Sequence, residues 1–362
     1  MKIGIVGLPL SGKTTLFNAL TGSSVDTGFS GAKEEAHHAE VKVPDERLDN
    51  LNDIFQPEKK VPAVIEYIDL AGLTATENEK KSGFSDQFLG HIRTVDAILV
   101  LLRQFKSDSV PHPLNSIDPE RDLNTIEAEF ILSDLNIIEN RMARLEKEMK
   151  AKKKTADVRE YDFLQKCRSF LEQEKPLREM DISDEEERLV RGYQFLTQKP
   201  LIICINIGED DLANRDQIAS SFQSYAERVK STVVAISAQL EMEIQQLSEE
   251  DATVFREDVG IEHSAMDTLI RVSYNLLGLI SFFTVEKHVR AWTIPVGTKA
   301  PQAAGAVHTD FERGFIRAEV VHYDDFIKRK NMQQCKADGV LRLEGKEYVV
   351  KDGDIINFRF AV

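Results

Sequence analysis

The sequence predicts a three-part α/β chain: a mostly parallel sheet covered by helices, a helical hairpin inserted into it, and a small α+β module at the C-terminal end. Three observations predict it. Short apolar runs alternate with helical stretches between Lys2 and Ile236. A seam with spacings of three and four runs from Ile131 to Met149. From Leu279 onward the pattern turns to short β-rich runs broken by turn signals. A chain of 362 residues is also too long for one ordinary core.

The first run, Lys2–Val6, ends in glycine and is followed by a helix pattern from Lys13 to Leu20. That is strand, loop, helix. Ala63–Ile68 is the second run and ends at Asp69; Asp96–Leu102, Leu201–Ile205 and Thr232–Ile236 follow. Strands that alternate with helices argue for a parallel sheet buried on both faces. Between the third and fourth runs, Ile131, Leu135, Ile138, Met142, Leu145 and Met149 form a heptad-like seam with charged residues in the gaps. A charged tip at Lys150–Thr155 and a second helix bearing Leu164, Cys167 and Leu171 complete an antiparallel hairpin. The C-terminal runs are Ile280–Val285, Phe315–Val321, Glu347–Val350 and Asp354–Phe360, with turns at Val296-Gly297 and Asp352-Gly353. The expected boundaries are 1–126 with 200–277, the insertion 127–199, and 278–362.

Composition is globular, at 42% hydrophobic and 30% charged. No apolar run reaches the roughly 18–20 residues that span a bilayer, and Met1–Val6 lacks the features of a signal peptide. Cys167, Cys204 and Cys335 lie far apart and read as free, buried thiols of a cytoplasmic protein. A net charge of −15 argues against non-specific binding along nucleic acid. The excess acid lies before Gly278; the remainder is near neutral. A monomer is the expected state.

Gly7-Leu8-Pro9-Leu10-Ser11-Gly12-Lys13-Thr14 fits G-x-x-x-x-G-K-[ST]. The glycines let the backbone curl so that successive N–H groups point at phosphate oxygens. Lys13 supplies charge to the β- and γ-phosphates, and the Thr14 hydroxyl can ligate Mg²⁺. Asp69-Leu70-Ala71-Gly72 closes the second strand. Asp69 there can hold Mg²⁺ through water, and Gly72 can offer its N–H to a γ-phosphate. The catalytic candidates are therefore Lys13, Asp69 and Gly72, and the metal candidates Thr14 and Asp69. The next residue is Leu73, where many such enzymes place a Gln that orients the attacking water.

The strand Leu201–Ile205 leads into Asn206-Ile207-Gly208-Glu209. An N-K-x-D motif would put an Asp against guanine N1 and N2. Here the Lys and the Asp are missing, and Glu209 is one methylene longer than Asp. An Asn amide or a backbone carbonyl can pair with adenine, and Ile207 is a candidate to lie against the ring. Ser237-Ala238, after the fifth strand, is the expected second wall of the base pocket. ATP is the expected nucleotide, with GTP kept open.

Taken together, these residues resemble the Obg-like ATPases of the YchF type. The resemblance rests on Gly7–Thr15 followed by Leu16-Phe17-Asn18-Ala19-Leu20, on Asp69–Leu73, and on Asn206-x-x-Glu209. It rests also on Val289–Gly297, Ala300–Gly305, His308–Glu312 and Gly314–Ala318. It implies a P-loop GTPase-like domain, an inserted coiled-coil hairpin and a C-terminal ubiquitin-like β-grasp module called TGS. It further implies ATP hydrolysis and association with ribosomes. The nucleotide contacts it implies fall on Leu10, Ser11, Gly12, Lys13, Thr14, Thr15, Asn206 and Ile207, and its Mg²⁺ ligand on Thr14.

Two positions depart from the family pattern. Family members carry Asn where this chain has Leu10, and that Asn is linked to a monovalent cation. A first-switch Thr that ligates Mg²⁺ in the family has no counterpart in Phe29–Glu35, where Ser30 is the nearest hydroxyl. His37-His38 follow and read as solvated loop residues. The expected activity is a slow, nucleotide-dependent ATPase switch. A nucleotide-binding scaffold with little turnover and a GTP-preferring GTPase are the alternatives. A small-molecule P-loop kinase is disfavoured, because no acceptor-binding lid is evident.

Overall fold

The computed structural model describes residues 1–22, 37–70, 84–151, 158–259 and 264–361. In chain order its elements begin β1 (Lys2–Val6), α1 (Lys13–Thr21), β2 (His37–Lys42), α2 (Glu46–Phe55), β3 (Lys59–Val61) and β4 (Val64–Asp69). There follow α3 (Asp86–Arg93), β5 (Ala97–Arg103), α4 (Pro119–Lys150), α5 (Val158–Leu171), β6 (Leu201–Asn206) and β7 (Ser231–Ile236). The last strands are β8 (Leu279–Val285), β9 (His288–Pro295), β10 (Phe315–His322), β11 (Arg342–Glu344) and β12 (Asp354–Phe360).

The first sheet has the order β2-β4-β1-β5-β6-β7. β1 runs parallel to both β4 and β5, and β5–β6 and β6–β7 are parallel as well. A sheet buried on both faces requires strands that are apolar on both faces. β5 meets that requirement: Ala97-Ile98-Leu99-Val100-Leu101-Leu102-Arg103 is buried throughout. β1 and β4 are neighbours, yet the chain after β1 leads to β2 on one side of the pair and the chain after β4 leads to β5 on the other, so the connections leave the two strands in opposite directions. Ligands of open α/β sheets bind outside the carboxyl ends of strands at such a switch point.

The helical hairpin has its own core. Ile138, Met142 and Leu145 of α4 pack with Phe163, Leu164, Cys167 and Leu171 of α5. The root of α4 is held by polar contacts. Asp134, wholly buried, accepts from Arg93 Nη1 at 2.8 Å, Thr197 N and Oγ1 at 2.8 Å each, and Leu196 N at 3.1 Å.

The second sheet has the order β11-β10-β12-β8-β9-β3. β8 and β9 form an antiparallel pair, β10 is antiparallel to β11 and β12, and β12 runs parallel to β8. The helix Ala300–Val307 packs Ala300, Ala303 and Ala304 with Phe282, Ile294 and Val320. This is the β-grasp arrangement.

Several elements differ from the sequence expectation. Residues 40–65 were expected in the N-terminal domain. Contacts instead divide the chain into 1–39 with 66–266, and 40–65 with 267–362. The cause is β3, whose Lys59, Lys60 and Val61 pair in parallel with His288, Val289 and Arg290. β2 and β3 escaped notice because their side chains are mostly exposed and polar, the composition of edge strands. His37 and His38 therefore lie in a strand, not a loop, and His38 Nδ1 is 2.7 Å from Glu66 Oε1. Glu347–Val350 is not a strand. Tyr348 N closes a turn on Gly345 O, and Val349 makes a single bridge to Lys299. Of the charged tip expected at Lys150–Thr155, Lys150 closes α4, and residues 152–155 lie outside the described residues. All three cysteines are free and buried. Among the described residues, no helix is long and apolar enough to cross a membrane.

Candidate phosphate-binding site

The loop from Gly7 to Gly12 joins β1 to α1, and its shape depends on small residues. A Cβ on Gly7 would meet Leu101 O at 2.6 Å and Ser11 Oγ at 2.7 Å. Gly12 has φ +96°, and a Cβ there would approach Asn206 Nδ2 to 2.4 Å. Ser11 N closes the loop on Leu8 O at 3.3 Å. Leu10, half-buried, has φ +64°, left-handed backbone that strains a branched side chain.

α1 follows directly and carries no acidic residue in its first turn. The positive end of its dipole thus faces the loop uncompensated, as an anion site requires. Lys13 is buried, and its Nζ donates to Gly7 O and Leu8 O at 3.0 Å each. Burial lowers its pKa from 10.5 to about 8, against the opposing pull of Asp69. A buried ammonium held chiefly by neutral carbonyls is poised to gain from an incoming phosphate. Ser11 Oγ is buried with no hydrogen-bond partner among the described residues, a further polar group left for a ligand.

Thr14 Oγ1 lies 3.1 Å from Asp69 Oδ2, and Asp69 is wholly buried at the end of β4. One carboxylate and one hydroxyl beside a phosphate cradle are hard oxygen donors of the type that suits Mg²⁺. Thr15 is half-buried beside them.

On the base side Asn206 is already engaged and the Ile207 side chain is enclosed. Asn206 is buried, its Nδ2 donating to Ser11 O at 2.9 Å and its Oδ1 accepting from Ala238 N at 3.0 Å. The side chain expected to read a base also serves as a strut that ties the phosphate loop to the start of the helix Ala238–Ile244, with one Nδ2 hydrogen and one Oδ1 lone pair left over. Ile207 is only 2% exposed and packs in the sheet's core, so its side chain does not lie open to a ring. Its N–H donates to Ile236 O at 2.8 Å. Glu209 is exposed at the start of the 3₁₀ turn Glu209–Asn214. Ser237 and Ala238 are buried where the helix Ala238–Ile244 begins.

Gly72, Leu73 and most of Thr74–Ser85 lie outside the described residues, as does Phe29–Glu35 with Ser30. Sequence reasoning missed the strut and the left-handed backbone at Leu10. The signal for the second was present: the family pattern places there an Asn, which tolerates that conformation.

Residues 2–141 match the family model MMR_HSR1, described as 50S ribosome-binding GTPase. Residues 279–361 match YchF-GTPase_C, described as a protein of unknown function (DUF933). The chain is 42% identical to the ribosome-binding ATPase YchF of Bacillus subtilis (strain 168), covering 100% of both chains. It is 41% identical to the ribosome-binding ATPase YchF of Escherichia coli O157:H7, covering 100% of this chain and 99% of the other. The solved structure of the Schizosaccharomyces pombe YchF GTPase superposes with a TM-score of 0.86 at 34% identity, over 99% of this chain and 97% of that one.

Proposed function

The chain belongs to the YchF family, and from that premise we propose that it is a ribosome-associated switch that binds and slowly hydrolyses ATP with Mg²⁺. The observation that carries this reading is the convergence of buried Lys13, the orphaned Ser11 hydroxyl and the Thr14–Asp69 pair on one loop at the sheet's switch point. Lys13 would leave its two carbonyls for the β- and γ-phosphates. Loop N–H groups and the α1 N-terminus would take the remaining phosphate charge. Thr14 and Asp69 would hold Mg²⁺, which supplies charge neutralisation to the transferring phosphoryl group. Gly72 would offer its N–H to the γ-phosphate.

Asn206 acts in this reading as a positioning residue, and adenine is met by main-chain groups around Ile207 and by Ser237-Ala238. Glu209 is one methylene longer than a guanine-reading Asp and sits exposed at the start of a 3₁₀ turn, so ATP is favoured over GTP. The second unit serves as a TGS-type module, and the protein works in the cytoplasm. The working division remains a nucleotide domain, a hairpin at 127–199 and a C-terminal module from 278, with 40–65 joined to that module. Titration of the full chain with ATP and GTP in Mg²⁺, by calorimetry, tests the reading. Tighter ATP binding is the expected result; a clear GTP preference overturns the base assignment, and no binding of either overturns the whole.

A second reading, a nucleotide-binding scaffold with little turnover, draws on one observation. Leu10 presents a hydrocarbon side chain, which cannot coordinate a cation, on a strained backbone beside the phosphate loop. Single-turnover phosphate release separates the two.

A further inference from the structure

The root of the helical hairpin carries an open groove whose lining shares no residue with the phosphate loop. Ala128, Leu132 and Leu135 lie along one face of α4, and Leu171 at the end of α5 forms the opposite wall. The groove has a volume of about 610 Å³. Leu132 is 56% exposed, although it sits beside Ile131 and Leu135 of the hairpin's packed core. A large side chain left half in water on a rigid helix is a surface feature that a partner can cover.

The rim of the groove is acidic. Glu127, Glu172 and Glu174 line it, with Arg228 as the cation on the lining. That cation is already engaged: Arg228 Nη1 lies 3.3 Å from Glu127 Oε2, its Nε lies 3.8 Å from Glu179, and its guanidinium stacks 4.3 Å from the Tyr225 ring. Glu127 also accepts from the buried Arg178. Glu172 accepts from Arg168 Nε at 2.9 Å, whereas Glu174 makes no ion pair among the described residues. The whole chain carries −15. An anionic partner approaching this face meets like charge, and a cationic one meets complementary charge.

We propose that this groove docks a basic segment of a partner protein, with Leu- or Phe-type anchors that cover Leu132 and Lys or Arg residues that meet Glu172 and Glu174. This assignment is independent of the nucleotide reading and separates from it experimentally. An amphipathic helix laid into an apolar groove, with charges set by the rim, is a familiar mode of recognition. The charge balance selects protein over nucleic acid as the occupant of this face.

Two substitutions test it without threatening the fold. Leu132→Ser acts on a half-exposed side chain. Glu174→Gly removes the carboxylate at φ +60°, where glycine is the better residue. The probe is a fluorescein-labelled helical peptide of Lys and Leu at i, i+3, i+4 spacing, read by anisotropy against the full chain. Controls are a Glu/Leu peptide, a Lys/Ser peptide of the same charge and a single-stranded oligouridine. The expected result is salt-dependent binding of the Lys/Leu peptide, weakened about tenfold by Leu132→Ser and severalfold by Glu174→Gly. ATP titrations of both variants should match the wild type, whatever the wild type's own affinity. Equal binding by both variants, equal binding of the Lys/Ser peptide, or no peptide binding overturns the assignment. Oligouridine binding that Leu132→Ser abolishes overturns it in favour of RNA.

Discussion

The side-chain amide of Asn206 donates to the main-chain carbonyl of Ser11 at 2.9 Å, across 195 positions of sequence. Its oxygen accepts from Ala238 N at 3.0 Å. One side chain thus fixes the phosphate loop against the loop after β7. Asn206→Ala leaves Ser11 O and Ala238 N buried without partners, at a cost of about 2–4 kcal/mol. Thermal unfolding should show the loss in the nucleotide-free protein, and calorimetry should show weaker ATP binding. An Asn206→Ala protein with wild-type melting and wild-type affinity would refute the strut.

Lys13 supplies a pH signature. Its pKa falls from 10.5 unfolded to about 8 folded, because burial penalises the charge. Between those values the unfolded chain holds the proton and the folded chain releases it. Stability contributed by this group therefore rises with pH across that window, and below about 8 the full penalty stands. The penalty is roughly 3 kcal/mol at 1.36 kcal/mol per unit. Lys13→Met removes it but also removes the donor to Gly7 O and Leu8 O. The stability difference, variant minus wild type, should accordingly shrink as pH rises from 8 to 10. The variant should also lose ATP binding. A difference that stays flat with pH would mean that Lys13 is not desolvated.

Leu10 should be improvable. Left-handed backbone costs a non-glycine, non-Asn residue about 1–2 kcal/mol, and Leu10 sits at φ +64°. Leu10→Asn is expected to raise the melting temperature of the nucleotide-free protein. If the cation role implied by the family resemblance also holds, the variant gains K⁺-dependent phosphate release over Na⁺ at matched ionic strength. The wild type should turn over well below about 1 s⁻¹ in either salt. Strong K⁺ stimulation of the wild type would show that another group holds the cation.

Asp134 should be the costliest single polar deletion at the hairpin's root. Asp134→Ala strips acceptors from Arg93, Leu196 and Thr197 at once. Removing one partner of a buried ion pair costs about 3–5 kcal/mol. A urea unfolding midpoint within error of wild type would contradict this accounting.

Much of the first sheet was legible because a doubly covered strand must be apolar on both faces, and Ala97–Leu102 and Leu201–Ile205 are. The phosphate loop was legible because its glycines and lysine are dictated by local geometry. β2 and β3 were not, since edge strands carry polar side chains and owe their place to partners distant in sequence. β9 shows a different gap. Val289 and Ala291 alternate with exposed His288 and Arg290, a strand pattern that the residues themselves carry over a short span. The role of Asn206 was hidden for a physical reason: both of its partners are main-chain atoms, which leave no mark on residue type.

The pairing of β3 with β9 has a consequence in time. Lys59 is synthesised long before His288, its partner, and Arg47 waits 305 positions for Asp352. At elongation rates of about 5–20 residues per second, residues 40–65 spend on the order of ten seconds or more outside their sheet. Throughout that interval Leu48 and Leu51, wholly enclosed in the finished protein, have no second sheet to cover them. The nascent chain therefore carries an uncovered apolar segment within its first fifth until the strand at His288–Arg290 has been made.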